Sequence, residues 1–465
     1  MIKSRLDGQY ASDYQPVWKF CNCRILSNDL PNHSPRHSVC IGKPLKPMIT
    51  LKKSLVVLLA GVPSTLLANG FRLVSQDAFA AARGEAFVAT ADNPSAIHYN
   101  PAGLTQLDGQ QVRLGAYALY FDPTFTPPGD ATNAGTTYHI EKKDALAPQL
   151  YYAYAWPDSP IHLGLGIYAP HGASVTWPQD TGFRAVALMG DLTYLRANPV
   201  IACEIRPGLS LAAGVMIDYA DITLEQGLTR RANSGDFFRF EGDDLSVGYN
   251  FGLLWKINEK FTLGATFRSA MTLGFEGHTN IQGRNINVTD MPASAEYDFP
   301  YTAVLGLSYR PTEKWNIEVD ADFSNWSSID TVIIRQIEKP PSPIQQNYRV
   351  NLGFKDSWIL KCGVTRYFDN GWFASAGYLF NQNSVPGDYY SPVVADLDRH
   401  ILTLGIGRKW SKYSVDLAYQ FCYGPDRTVK DSIPSSPTAS FTGQTADGTY
   451  GFISHGLLVS VGMRF

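Results

Sequence analysis

Two stretches hold residues that could do chemistry. In "NPSAIHYNPAGL", residues 93–104, His98 stands beside Tyr99 between two Asn-Pro pairs. An imidazole can serve as a general base, but it needs a nucleophile or carboxylate held at a fixed distance. His98 has no such fixed partner in the sequence, so it reads as structural. In "KWNIEVDADFS", Glu318, Asp320 and Asp322 recur at every second position. Side chains at i, i+2 and i+4 of a strand share one face. Three carboxylates there could bind a hard cation, yet such sites gather their ligands from loops. The row therefore reads as the solvated inner face of a sheet, and no metal is expected. There is no Walker loop, no GxSxG and no HExxH. The sequence predicts no catalytic residue, no cofactor and no enzyme.

What remains is architecture. The chain has 465 residues with a formal net charge of -3, and only 17% of them are charged. Tyr and Phe number 25 and 24, and Gly 40, a mixture that suits an aromatic-rich β protein. No basic cluster interleaved with aromatics appears, which argues against nucleic acid as a partner. The six cysteines show neither zinc spacing nor a disulfide framework. Cys203, Cys362 and Cys422 read as small apolar fillers.

From Met48 the chain runs "MITLKKSLVVLLAGVPSTLLANGF". Lys52 and Lys53 precede an apolar run from Leu55 to Val62, and Ala68 supplies a small residue for cleavage. This is the pattern of an export signal, expected over 48–68. The apolar run is too short to span a bilayer as a helix. Residues 1–47 are polar, carry Cys21, Cys23 and Cys40, and have no periodicity. An export signal normally begins a chain, so 1–47 is expected to be a mis-called, disordered extension.

After residue 110 the pattern has period two. In "HGLLVSVGMRF", Leu457, Val459, Val461, Met463 and Phe465 share one face, and small or polar residues the other. Trp315, Ile317, Val319, Ala321 and Phe323 oppose the acidic row in the same way. Such alternation runs for about ten residues at a time, with aromatics at the ends, which is the signature of a transmembrane barrel. Candidate strands fall at 111–121, 147–156, 161–169, 192–204, 209–223, 243–257, 260–276, 297–310, 314–335, 357–367, 371–381, 399–410, 412–423 and 451–465, fourteen in all. Long connections, expected at 122–146, 224–242, 277–296, 336–350 and 424–450, alternate with short turns. The long ones belong outside and the short ones on the periplasmic side. The expected fold is all-β: a transmembrane antiparallel barrel over 111–465 in the bacterial outer membrane. A fourteen-stranded lumen is wider than its own side chains fill, so residues 69–110 are expected to plug it.

The plug carries a resemblance. "GFRLVSQDAFAAARGEAFVATADNPSAIHYNPAGL" resembles the N-terminal hatch of the FadL/TodX family of outer-membrane transporters of long-chain fatty acids and aromatic hydrocarbons, with Asn100-Pro101-Ala102 matching its Asn-Pro-Ala motif. "YAPHGASVTWP", "LSYRPTEKWNIEVDADFSNWSS" and "DRHILTLGIGRKWSKYSVDLAYQF" resemble later family segments in family order. The resemblance implies a hydrophobic channel, most simply for long-chain fatty acids, with a pocket near Phe71 and lateral exit through an inward kink of the third strand. Ala169, Pro170, His171 and Gly172 would form that kink. Pro170 cannot donate to a sheet ladder and Gly172 permits a bend. Arg184, Arg196, Arg366 and Arg399 are unranked candidates to meet a carboxylate. Phe465, last in its strand, looks like an assembly signal. Implied partners are a hydrophobic small molecule, outer-membrane lipid and the barrel-assembly machinery, with the chain a monomer. The alternatives are a general porin, or a surface receptor or adhesin.

Overall fold

The structure is a computed structural model, and it describes residues 70–435, 437 and 443–465. The expected extension (1–47) and export signal (48–68) lie outside the described residues. No helix among those described is long and apolar enough to cross a membrane. The crossing elements are strands.

Fourteen strands follow one another around a closed wall. They are β1 (Gln110–Thr126), β2 (Asp144–Ala155), β3 (Ile161–Tyr168, resuming at Ala173–Thr176), β4 (Met189–Arg206), β5 (Leu209–Gln226) and β6 (Phe237–Lys256). Next come β7 (Phe261–Arg268 and Met271–Gly283), β8 (Ile286–Phe299 and Thr302–Thr312), β9 (Trp315–Ser324 and Thr331–Gln336) and β10 (Asn347–Asn351 and Ser357–Tyr367). The last are β11 (Trp372–Asn381), β12 (Arg399–Lys409), β13 (Tyr413–Val429) and β14 (Gly448–Arg464). Every neighbour pair is antiparallel, and β1 closes on β14 from Gln111↔Arg464 to Thr126↔Thr449.

The alternation predicts which face is which. Leu457, Val459, Val461 and Met463 lie outward and exposed, as do Leu245, Val247, Tyr249 and Phe251. A continuous apolar outer surface of this kind needs lipid rather than water. Trp156, Trp255, Trp315, Trp372, Trp410 and Tyr413 ring the short-turn end, where amphipathic rings favour the membrane interface.

One expected loop is corrected. Residues 277–296 are mostly strand, and β7 and β8 form a hairpin that turns at Arg284–Asn285, with Gly283↔Ile286 as its last pair. Its inner face buries Ile281, Met291, Ala293 and Ala295, but interspersed Gly, Asn, Gln and other small or polar residues blur the period-two contrast.

Residues 70–109 fill the barrel. Two short helices, α1 (Ala78–Ala82) and α2 (Ala96–Tyr99), precede a 3-10 helix at Pro101–Gln106. The Asn-Pro pairs fix its turns. The Asn93 carboxamide oxygen accepts from the Ser95 amide at 2.8 Å and from its hydroxyl at 2.7 Å. Asn100 caps the 3-10 helix by accepting from the Ala102 amide at 3.2 Å. It also donates to the carbonyls of Val88 at 2.7 Å and of Leu253 on β6 at 2.9 Å. Wall glycines let the plug backbone touch the sheet. At Gly363 and Gly377, which pair across β10 and β11, an added Cβ would strike the backbone of Arg83 and Gly84.

Candidate functional site

The acidic row of β9 is not solvated, which corrects the expectation. Glu318 and Asp322 are wholly buried and Asp320 nearly so, because all three face the plug. Buried carboxylates need paired donors, and the plug supplies them. Glu318 accepts from the Ala89 amide at 2.7 Å, from the Thr90 hydroxyl and from Arg83. Asp320 accepts from the amides of Phe87 at 2.9 Å and Val88 at 3.2 Å. Asp322 binds Arg72 through both oxygens, at 2.8 and 2.7 Å, and Lys361 of β10 at 2.7 Å. The row is a docking rail for the plug.

Asp77, the cap of α1, is held by both ends of the wall. It accepts from Arg113 on β1 and from the Ser460 hydroxyl on β14 at 3.2 Å. Arg113 in turn reaches Asp416 on β13 at 2.5 Å.

His98 is buried, with its ring edge-on to Tyr99 and Tyr168, and its carbonyl accepts from Arg268. Among the described residues, its Nδ1 is buried without a hydrogen-bond partner.

The third strand is interrupted between Tyr168 and Ala173. Ala169, Pro170, His171 and Gly172 are all buried between the two halves of β3. Beside the break the strand ladder is interrupted. β2 pairs with β3 only up to Ile167, and among the described residues Ala173–Thr176 pair with β4 alone. The plug occupies the break as a short strand. Leu73 donates its amide to the Pro170 carbonyl and Gly172 to the Phe71 carbonyl, each at 2.9 Å, with Arg72 opposite His171. These contacts satisfy backbone groups that the interrupted ladder would otherwise leave bare.

On the long-loop side of the plug lies a small apolar cavity of about 60 Å³. Phe71 forms part of it, with Val186, Leu192, Ile222, Leu224, Phe238, Tyr297, Ile334, Tyr348 and Val393. Phe71 is braced by Phe299, Trp326 and Phe354, with ring centroids 6.2–6.4 Å away. The polar lining is short: Asp191, Glu225, Gln226 and Ser391. Tyr348 donates its hydroxyl to the Gln226 side chain at 2.8 Å.

Of the sequence candidates, Phe71 lines the cavity, while Asn100, Pro101 and Ala102 lie in the plug against β6. The four arginines do not meet there. Arg184 pairs with Asp236 at 2.5 Å in the outer loops and Arg196 with Asp218 at 2.6 Å. Arg366 lies over Trp315 at 4.8 Å near the short turns, and Arg399 over Phe452 at 3.5 Å. Arg72 and Arg268, unmarked in the sequence, line a smaller chamber with Arg196, His98 and His171 behind the kink. Phe465 donates its amide to Gln110 beside the closing seam at 2.9 Å.

A closed, lipid-facing, fourteen-stranded barrel with an occupied lumen defines an integral outer-membrane β-barrel protein. The profile of the outer membrane protein transport protein family (OMPP1/FadL/TodX) matches residues 59–459, and the chain belongs to that family. It is 22% identical over 429 residues to the long-chain fatty acid transport protein of Escherichia coli K12, covering 82% of this chain and 93% of that one. The crystal structure of a Pseudomonas aeruginosa FadL homologue superposes with a TM-score of 0.73 at 19% identity, covering 85% of this chain and all 100% of the other. That of the Pseudomonas putida toluene transporter TodX gives 0.66 at 16%, covering 86% and 100%. The protein thus transports hydrophobic compounds in the outer membrane.

Proposed function

We propose that the protein carries its cargo passively, in three steps. A hydrophobic molecule partitions into the cavity, where each buried methylene contributes about 0.8 kcal/mol. The plug segment Phe71–Leu73 then leaves the β3 break. The cargo exits sideways past Ala169–Gly172 into the outer membrane. An alkyl chain of fatty-acid type and a small aromatic both suit the apolar lining, and the cavity of about 60 Å³ widens to hold either. The relatives named for long-chain fatty acids and for toluene support that range.

One observation carries the reading. The same segment lines the cavity at Phe71 and bridges the strand break through the Phe71 carbonyl and the Leu73 amide. Filling the cavity and opening the break are therefore coupled through a single segment, as ligand gating requires.

Arg72 and His171 form a non-hydrogen-bonded antiparallel pair, in which Cβ atoms approach closely enough for a disulfide. With Cys203, Cys362 and Cys422 replaced by alanine, the Arg72→Cys/His171→Cys variant is expected to lose uptake of a labelled hydrophobe when oxidised and regain it on reduction. Uptake unchanged by oxidation would overturn the gate.

A further inference from the structure

The cavity is selective by what it lacks. Its lining contains no Lys, Arg or His. Two carboxylates face it instead. Glu225 is paired with Arg239 at 2.6 Å, and that arginine is not part of the lining. Asp191 makes no ion pair among the described residues; Ser174 hydrogen-bonds it, and Lys142, outside the lining, is the cation that acts on it. The nearest buried cations are committed elsewhere or walled off. Arg72 is held by Asp322 and Arg196 by Asp218. With Arg268 they line the separate chamber, whose Phe299 packs against Phe71 at the boundary.

We infer that this cavity admits uncharged hydrophobes and rejects ionised carboxylates, an inference that rests on the transport reading above. An alkyl carboxylate entering here would shed its hydration with no cation to replace it, which costs several kcal/mol by general desolvation arguments. It would also meet Asp191 across a low-dielectric space that does little to screen like charges. An alcohol, an ester, a hydrocarbon or a protonated acid has neither cost. The Tyr297 hydroxyl, which the Gln226–Tyr348 pair does not engage, is the lining group that can meet a neutral polar group.

The test compares two ligands of equal length, decanol and decanoate, at about pH 8, on the purified protein in nanodiscs with empty nanodiscs as the baseline. Decanol is expected to bind at least about tenfold more tightly, and tenfold is ~1.4 kcal/mol. Gln226→Lys places a cation in the lining and should move the decanoate-to-decanol affinity ratio about tenfold towards decanoate. Asp191→Asn should move it the same way by less. Heat-modifiable migration on a gel reports that each variant is folded. Equal affinities in the wild type, or a ratio unmoved in folded Gln226→Lys, would overturn the inference and leave the transport reading standing. If neither ligand binds, the transport reading fails, and this inference with it.

Discussion

At the scale of single residues, Glu85 shows what the lumen does to chemistry. It sits in the plug with a backbone φ of 60° and no exposure, a conformation that a non-glycine residue seldom adopts. Burial pushes its carboxyl up to about 7, against an ordinary 4.5, even though Tyr99 donates to it at 2.5 Å. The docked plug therefore binds more protons than a released one between those two values. Docking is firmest below about pH 4.5 and loses up to about 3 kcal/mol as pH rises through 7. Hydrogen exchange over residues 78–91 should accordingly be faster at pH 8 than intrinsic exchange alone requires. Glu85→Gln should remove that excess, and a pH response that survives the substitution would disprove the coupling. None of this was legible in the sequence, where Glu85 is one acid among many. The arginines are the same kind of case, because an arginine's role depends on a carboxylate tens or hundreds of positions away.

At the scale of elements, period-two contrast made the strands readable wherever one face meets lipid. It failed in two places for two reasons. The β7–β8 hairpin buries only Ile281, Met291 and small residues such as Ala293 and Ala295 on its inner face, so its contrast is weak. The breaks within β7, β8, β9 and β10 interrupt an apolar pattern that continues through them, and buried groups such as Trp326 occupy them. The acidic row on β9 was correctly placed on the inner face, but its partners come from residues more than 200 positions earlier. The rail predicts a specific failure. Asp322→Asn leaves Arg72 and Lys361 buried around a neutral amide, and breaking such a pair costs about 3–5 kcal/mol. Trypsin should then cut after Arg72 in the variant, while the wild type resists. Equal resistance would mean that the remaining rail contacts hold the plug by themselves.

At the scale of the whole molecule, the outer surface and the filled interior together set the electrical behaviour. The lumen is occupied by residues 70–109, whose side chains are almost all buried. A planar bilayer containing the intact protein should show little steady ion current, and deletion of residues 70–106 should open one. Steady current through the intact chain would favour the porin alternative. The cavity was the least legible feature at this scale. Its lining comes from β3–β6, β8–β10, the plug and the 382–398 connection, and no local pattern reports that they converge.

The seat of Asp77 has a consequence for biogenesis. Its carboxylate is shared between the first strand, through Arg113, and the last, through Ser460, residues at opposite ends of the barrel sequence. The final zipping of one sheet edge to the other and the threading of the stopper thus complete each other's polar contacts. A cylinder sealed while empty would trap a guanidinium missing one of its two acids, so the assembling chain has an energetic reason to load its interior before it shuts.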